Sequence, residues 1–564
     1  MSLLNKTWKI NKPAPPSFIK LKTGYSEVVG QLLWNRGVKT KKNTGKFMHP
    51  DYYKDLHDPK LLKNINTAIK RISSAIEKNE KILIYGDYDA DGVCSSTLLK
   101  EGLQRCGATN ISVYIPHRDD EGYGLNESAV HQFIKEKYNL LITVDCGSGN
   151  IEEIKLAQDN GIDVVVIDHH QVLTEKKFCH ALVNPHQKGD KYPFKDICAT
   201  AVAFKVIQAL NAKTKSFEKE QEKWFLDLVA IATVTDVMPL IDENRTFVKY
   251  GLMVLKKTKR EGLKALMEVS KLKNLNSDAL GFILGPRINS AGRVAHADLA
   301  FNLLNAKKPA KAKAFALRLE NKNKERQKIV SKILEEIDFE TLKGQNVIFE
   351  GKEHWPIGVL GIVAGRLADT FGKPSFVYQK KQAVLVGSAR TPYNFNTVQI
   401  LSSCENILQK FGGHRQAGGF TALLEHEEAL AKGINKHIIN MGKRIKNKLP
   451  VLSIDADVTA GDINYDLYKQ LLLLEPYGEG NPRPNFILKN AQLKNMRLVG
   501  SKNTHLKCAI EKDNKTLSAI GFNMATAAAN LQNSDIVDIV FNIDINDFNG
   551  VQNLDLKLVD IKKR

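Results

Sequence analysis

The chain has 564 residues, 43% of them hydrophobic, enough for two to four domains with a real core. Lysine and arginine outnumber aspartate and glutamate 82 to 62, and a formal charge of +20 favours polyanionic partners. No stretch approaches the ~20 apolar residues of a membrane span, the N-terminal MSLLNKTWKINKPAPP does not read as a secretory signal, and seven cysteines without a CxxC pair argue against a disulfide scaffold or zinc ribbon.

Residues 1–50 are basic and rich in turn formers, and read as an arm with some local helix. From about 60 to 210, short β-branched runs alternate with helical stretches. Strands are predicted at 82–86 (ILIYG), 111–115, 140–144 (LLITV) and 163–167 (DVVVI), and helices at 93–105 and 150–159. Continuous apolar strands alternating with helices imply a parallel, doubly wound α/β sheet. Residues 200–270 read as mostly helical, and 51–307 as one domain. The charged segment 308–340, with Phe315, Leu319, Ile329, Ile333 and Ile337, predicts a long connecting helix. A second α/β domain follows at 341–449, and short alternating runs such as 536–544 suggest a small β-barrel over 450–564, a pattern that a sandwich would share.

Three predicted strands run into carboxylates: Asp87, Asp89 and Asp91 after the first, Asp145 after the third, and Asp168-His169-His170 after the fourth. Parallel strands bring their carboxyl ends to one edge of the sheet, where ligands of α/β sheets bind. One such Asp alone would be a helix N-cap. Five acids and two histidines in one small volume call for divalent metal, because like charges repel strongly at close range. Mixed carboxylate and imidazole ligands around two close ions suit Mn²⁺ best, with Mg²⁺ as the alternative. Asp236, in TVTDVMPL, is weaker by pattern. Gly147-Ser148-Gly149 imitates a dinucleotide fingerprint, but Glu152 stands at the third glycine position, and no GxxxxGK[ST] loop exists.

DYDADG, DCGSGN, VIDHH and TVTDVMPL resemble the four motifs of the DHH phosphoesterases. The resemblance implies that Asp89, Asp91, Asp145, His169 and Asp236 are metal ligands, with Asp87 beside them and His170 at the phosphate or leaving group. The rest of the chain resembles the RecJ branch. PHRDDEGYG suggests Arg118 and Tyr123 at the terminal nucleotide, and GPRINSAGR offers Arg287 and Arg293 to phosphate. GVLGIVAGRLAD, GSAR and GGHRQAGG resemble a DHHA1 domain, with Ser388 and Arg390 at the 5′ end and His414 fitting the pattern. EPYGEGNPRPNF introduces what that family builds as an OB-like barrel, and WNRGV at 34–38 also fits. One position departs: Pro356 stands where the family has a histidine before the GV of the DHHA1 helix, and His354 lies two residues off.

What the resemblance implies is a 5′-to-3′ single-stranded-DNA exonuclease of repair and recombination, its strand threading between a metal-bearing and a strand-binding domain. The alternative is a DHH phosphodiesterase for short oligonucleotides or cyclic dinucleotides, against which the barrel and the basic excess argue. Single-stranded DNA, with a helicase or single-strand-binding protein, is the expected partner of a cytoplasmic monomer.

Overall fold

The structure is a computed structural model that describes residues 2–19, 24–172, 178–218, 220–392, 394–442, 450–548 and 551–564. The chain divides into two compact units, one of Leu56–Met238 with Phe247–Lys446, the other of Met1–Asp55, Pro239–Thr246 and Asn447–Arg564.

In the first unit the β-branched runs form β1 (Ile82–Gly86), β2 (Ile111–Tyr114), β3 (Leu140–Val144), β4 (Asp163–Ile167) and β5 (Ala181–Val183). All pair in parallel, in the order β2-β1-β3-β4-β5. β1 and β3 are buried along their whole length, which is why their sequences are continuously apolar rather than alternating. Helices α1 (Ala90–Arg105), α2 (Ile151–Asp159) and α3 (Ala199–Thr214) pack against this sheet, and α4 (Leu226–Thr235) and α5 (Gly285–Val294) pack on α1.

The predicted connecting segment is α6 (Pro309–Glu335), 27 residues opened by a proline at its first position. It buries Ala312, Ala316, Leu319, Asn323, Val330 and Ile333, one stripe at helical spacing, and leaves its lysines to solvent. Beyond it lie β6 (Ile348–Lys352), α7 (Ile357–Phe371), β7 (Ser375–Lys381), β8 (Val384–Arg390), β9 (Leu408–Gly413) and β10 (Ala417–Leu423). The sheet order is β9-β10-β8-β7-β6, and only β6 and β7 are parallel, joined by the crossover helix α7.

The second unit is built on a closed barrel. β12 (Phe486–Val499), β13 (His505–Lys512), β14 (Lys515–Gly521), β15 (Ile536–Phe548) and β16 (Val551–Lys563) pair in the cycle β12-β13-β14-β16-β15, which returns to β12; the short β11 (Ala456–Asp457) adds to β12. Closure removes the free edges that a sandwich would leave.

The expected N-terminal arm is instead part of this unit. Phe18, Val29, Leu32, Leu33 and Phe47 share one core with Phe486, Leu493 and Phe541. Asp560, in β16, accepts hydrogen bonds from the Ser2 hydroxyl, from Leu4 N and from Trp8 Nε1. Arg245 is fully buried and donates to the carbonyls of Phe47, Leu473, Leu474 and Glu475. Apolar residues spaced among lysines hid this core from a composition reading.

Candidate metal centre

Register gathers the acids. Gly86, Val144 and Ile167 align across β1, β3 and β4, so the residues that follow them, Asp87, Asp145 and Asp168, leave the sheet side by side. The strand order reverses between β1 and β3, and the crevice at such a switch point is where ligands bind. Asp145 takes a left-handed conformation, φ 63°, which aspartate tolerates better than most side chains. Asp89 caps α1, accepting from Asp91 N (2.8 Å) and Gly92 N (3.0 Å). Gly92 is needed because a Cβ there would lie 2.3 Å from the carbonyl oxygen of Asp87. Asp91 is pinned by Ala199 N (2.7 Å), Thr200 N (2.8 Å) and the Thr200 hydroxyl (2.5 Å) at the start of α3. Asp236 closes α4 and is followed by Val237 at φ 57°, a strained setting for a β-branched residue.

His169 Nε2 stands 3.3 Å from Asp145 Oδ1, 3.6 Å from Asp236 Oδ2 and 3.9 Å from Asp91 Oδ2. Three sets of potential ligand atoms each fall within 4.8 Å of one another: Asp87, Asp89 and Asp145; Asp91, His169 and Asp236; Asp145, His169 and His170. Burial, then mutual repulsion, raises the carboxyls of Asp87, Asp145 and Asp236 well above the usual range and Asp91 to about 6. Asp87 Oδ1 and Asp236 Oδ2 are buried without a hydrogen-bond partner. Burial and the neighbouring His170 pull His169 down to about 3, leaving a neutral imidazole with a free lone pair. Such carboxylates and one such imidazole fit divalent cations, which would reverse the repulsion.

Asp168 behaves differently. It accepts from Ser148 N (3.0 Å), His169 N (2.7 Å) and His170 N (3.2 Å), and from His170 Nδ1 at 2.8 Å. Although burial opposes it, the bond from His170 holds Asp168 below the usual carboxylate range. Burial lowers His170, but Asp168 outweighs it and lifts the imidazole to about 9. Asp168 therefore fixes a protonated His170 whose Nε2–H faces the Tyr123 hydroxyl at 3.4 Å.

The sheet carrying β8 contributes a basic wall. A Cβ at Gly361 would fall 3.0 Å from Arg390 Nη2 and 3.6 Å from Ser388 Oγ, so both side chains face the N-terminal half of α7. Arg293 Nη1 donates to the Gly358 carbonyl at 2.9 Å, and Arg118 lies 4.8 Å over the Tyr88 ring. Burial, then repulsion among Arg118, Arg326 and Arg390, lowers Arg293 to about 9; burial and Arg118 lower Arg390 as well. None of Arg118, Arg293 and Arg390 has a carboxylate within ion-pair distance among the described residues. Tyr123, 54% exposed, donates to the Asp145 carbonyl at 3.3 Å, and the hairpin between β9 and β10 stacks His414 on His170.

Arg287 differs from its expected place. Its Nε donates to Glu320 of α6 at 2.6 Å and its Nη1 to the Ile283 carbonyl, a half-buried pair that ties α5 to α6. Pro356 caps α7 without a side-chain donor, and His354 is turned to Glu336 at 2.8 Å, so His354 does not stand in for the absent histidine. Sequence reading missed Asn289, which accepts from Ala90 N at 2.7 Å, and Asn184, which donates to the Ser148 hydroxyl and the His170 carbonyl. It also missed His186, close enough to help depress His169 and His414. NPH after β5 is the one local cue, a polar cluster at the same edge of the same sheet.

Family models match along the chain: the DHH family N-terminal domain at residues 81–233, the DHHA1 domain at 344–440 and the RecJ OB domain at 454–560. The single-stranded-DNA-specific exonuclease RecJ of Bacillus subtilis is 36% identical over 562 residues, 98% of this chain and 70% of that protein. The protein of the same name from Haemophilus influenzae is 30% identical, over 90% of this chain and 92% of its own. Among solved structures, RecJ of Thermus thermophilus in complex with Mn²⁺ superposes with a TM-score of 0.85 at 25% identity, covering 99% of this chain and 80% of that one. With three domain matches in order and full-length relatives of one name, the chain belongs to the RecJ family of DHH phosphoesterases.

Proposed function

We propose that the chain is a metal-dependent exonuclease specific for single-stranded DNA, degrading it 5′ to 3′ in repair and recombination. The observation that carries this reading is one carboxylate–imidazole cluster facing three arginines that lack carboxylate partners, within a single unit. The names of the relatives, and the Mn²⁺ and Mg²⁺ bound to the Thermus protein, point the same way.

Asp89, Asp91, Asp145, His169 and Asp236 would hold two divalent ions, Mn²⁺ before Mg²⁺, with Asp87 beside them. Bound there, such ions supply Lewis acidity and an activated water. Thr200 and Ala199 orient Asp91, and the cap on α1 orients Asp89. His170, held protonated by Asp168, places Nε2–H to donate to a phosphate oxygen or to the departing oxygen. Arg118, Arg293, Arg390 and Ser388 grip the strand end, because guanidinium forks match phosphate oxygens in a bidentate way. Tyr123 and His414 offer ring faces to the terminal nucleotide.

The described cysteines are all free and buried, in keeping with a cytoplasmic protein, and no described helix is long and apolar enough to cross a membrane. We read the protein as a monomer that works with a helicase or single-strand-binding protein. The test is digestion of a long single strand labelled at either end, with Mn²⁺ and with chelator. Metal-dependent mononucleotide release from the 5′ end, with duplex spared, is expected. Cleavage of only dinucleotides or cyclic dinucleotides would replace this reading with a small-substrate phosphodiesterase.

A further inference from the structure

A cavity of about 460 Å³ lies away from the metal centre, lined among others by Glu101, Arg105, Trp224, Lys259, Arg260 and Lys307. Its size falls within the ~300–1,000 Å³ of ordinary small-molecule sites. Arg105 is the last residue of α1, whose first turn carries Asp91, and fourteen helical residues separate them by about 21 Å. Asp227, which also lines it, opens α4, and Asp236 closes that helix.

The floor is a preorganised guanidinium. Arg260 Nε bonds both oxygens of Asp227, at 3.3 and 3.1 Å, and its Nη1 bonds Glu101 at 2.8 Å. These groups are nearly buried, and Nη2 has no acceptor among the described residues. Two further cations have no carboxylate partner there: Arg105, set over the rings of Phe225 (5.2 Å) and Phe217 (5.7 Å), and Lys259, 4.4 Å over Trp224. Lys307, 80% exposed, stands at the rim and shares Glu101 at 3.3 Å. Glu261 is taken by Lys264 at 2.7 Å. With Asp227 and Glu101 offset by Arg260 and Lys307, the charges of Arg105 and Lys259 remain, held in place by aromatic faces.

From this arrangement we propose that the cavity is an anion site for the phosphate of a small phosphorylated compound of mononucleotide size, separate from the catalytic centre. Two unbalanced positive charges match a phosphate monoester, about −1.5 to −2 at neutral pH; a single carboxylate would leave one cation unmatched. A DNA backbone asks for cations strung along a groove, whereas these converge on one cavity. Arg260 supplies a fixed donor whose ordering is already met by its two carboxylates. The ring of Trp224 gives the wall an apolar face for a sugar or base.

The test uses the whole chain in chelator, carrying Arg390→Ala so that the basic wall near the metal centre is weakened. Deoxyadenosine monophosphate and inorganic phosphate are titrated by calorimetry and by tryptophan fluorescence. A single saturable site is expected, weakened at least about tenfold by the added pair Arg105→Gln and Lys259→Gln. Both are exposed side chains, and an unchanged melting curve would show the fold intact. Equal affinity for inorganic phosphate would identify free phosphate as a sufficient ligand and uphold the site; preference for the nucleotide would uphold it and assign the ring a role. No saturable binding, or binding indifferent to the paired substitutions, would overturn it. So would capture of an aspartate-rich peptide by the same two side chains with both phosphate compounds inert.

Discussion

The imidazole rings of His170 and His414 lie nearly parallel, 27° between planes and 6.1 Å between centroids, although one follows β4 and the other turns the hairpin between β9 and β10. The two sheets of this unit therefore meet at a pair of side chains that sequence places 244 residues apart, the difference of their numbers. Removing one ring should not equal removing the other. His170→Ala should cut kcat on single-stranded DNA by roughly 10²–10⁴-fold, the range of a lost general acid, with strand binding kept. His414→Ala should act mainly on KM. Steady-state kinetics on an end-labelled strand separates the two, and matching losses in kcat would make His414 part of the proton-transfer machinery as well.

The Asp168–His170 bond carries a signed pH dependence. In the fold His170 is raised to about 9, against ~6.5 for an unfolded histidine. Between these values the folded chain keeps a proton that the unfolded chain has released, so stability falls as pH rises. The contribution is complete below ~6.5 and gone above about 9. Denaturant midpoints in chelator should show a steeper decline across this window for the natural sequence than for Asp168→Asn. Parallel profiles would remove the bond from the stability of the unit.

Asp145 is raised by burial and by four neighbouring aspartates, so its ionised form opposes folding at neutral pH in chelator. Asp145→Asn should then stabilise the metal-free chain, on the order of 0.5–2 kcal/mol, as relief of functional strain commonly does. The same change should abolish both cleavage and the rise in Tm that Mn²⁺ produces. An identical Mn²⁺ shift in both proteins would take Asp145 out of the ligand set.

Arg390→Ala should weaken binding of a 5′-phosphorylated strand more than of the same strand with a 5′ hydroxyl. The loss is expected at about 1.5–3 kcal/mol, the worth of a charge-assisted bond. Fluorescence anisotropy with the two strands measures it; equal losses would move Arg390 from the strand end to its interior.

Arg245 makes its prediction far from the metal centre. Its guanidinium, 1% exposed, donates to five backbone carbonyls and lies 4.0 Å over Phe47. Arg245→Ala strands those acceptors and should destabilise the barrel unit markedly, since each buried carbonyl left unsatisfied costs about 1–3 kcal/mol. Calorimetry should show the barrel transition shifted down; a scan identical to that of the natural sequence would contradict the bonding pattern.

Much of this was legible. Buried parallel strands need unbroken apolar runs, so ILIYG and LLITV announce themselves, and parallel register then places Asp87 beside Asp145 without further information. What could not be read depends on partners distant in sequence. Nothing near Asp91 says that Thr200 will hold it, and nothing near Arg287 says that Glu320 will claim it. The N-terminal residues misled for a related reason: their apolar positions match a core whose other half lies beyond residue 450.

That split core bears on how the chain is made. At about 5–20 residues per second, Leu32 and Phe47 wait on the order of 20–100 s after synthesis before Phe486 and Phe541 exist to cover them. The metal-bearing unit, nearly all encoded in between, has that interval to fold first. The nascent N-terminus is then an exposed apolar segment, a client for holding chaperones and a site of early proteolysis. A truncation ending near residue 440 would keep that exposure permanently, so poor solubility of such a fragment would report an orphaned half-core rather than an unstable catalytic unit.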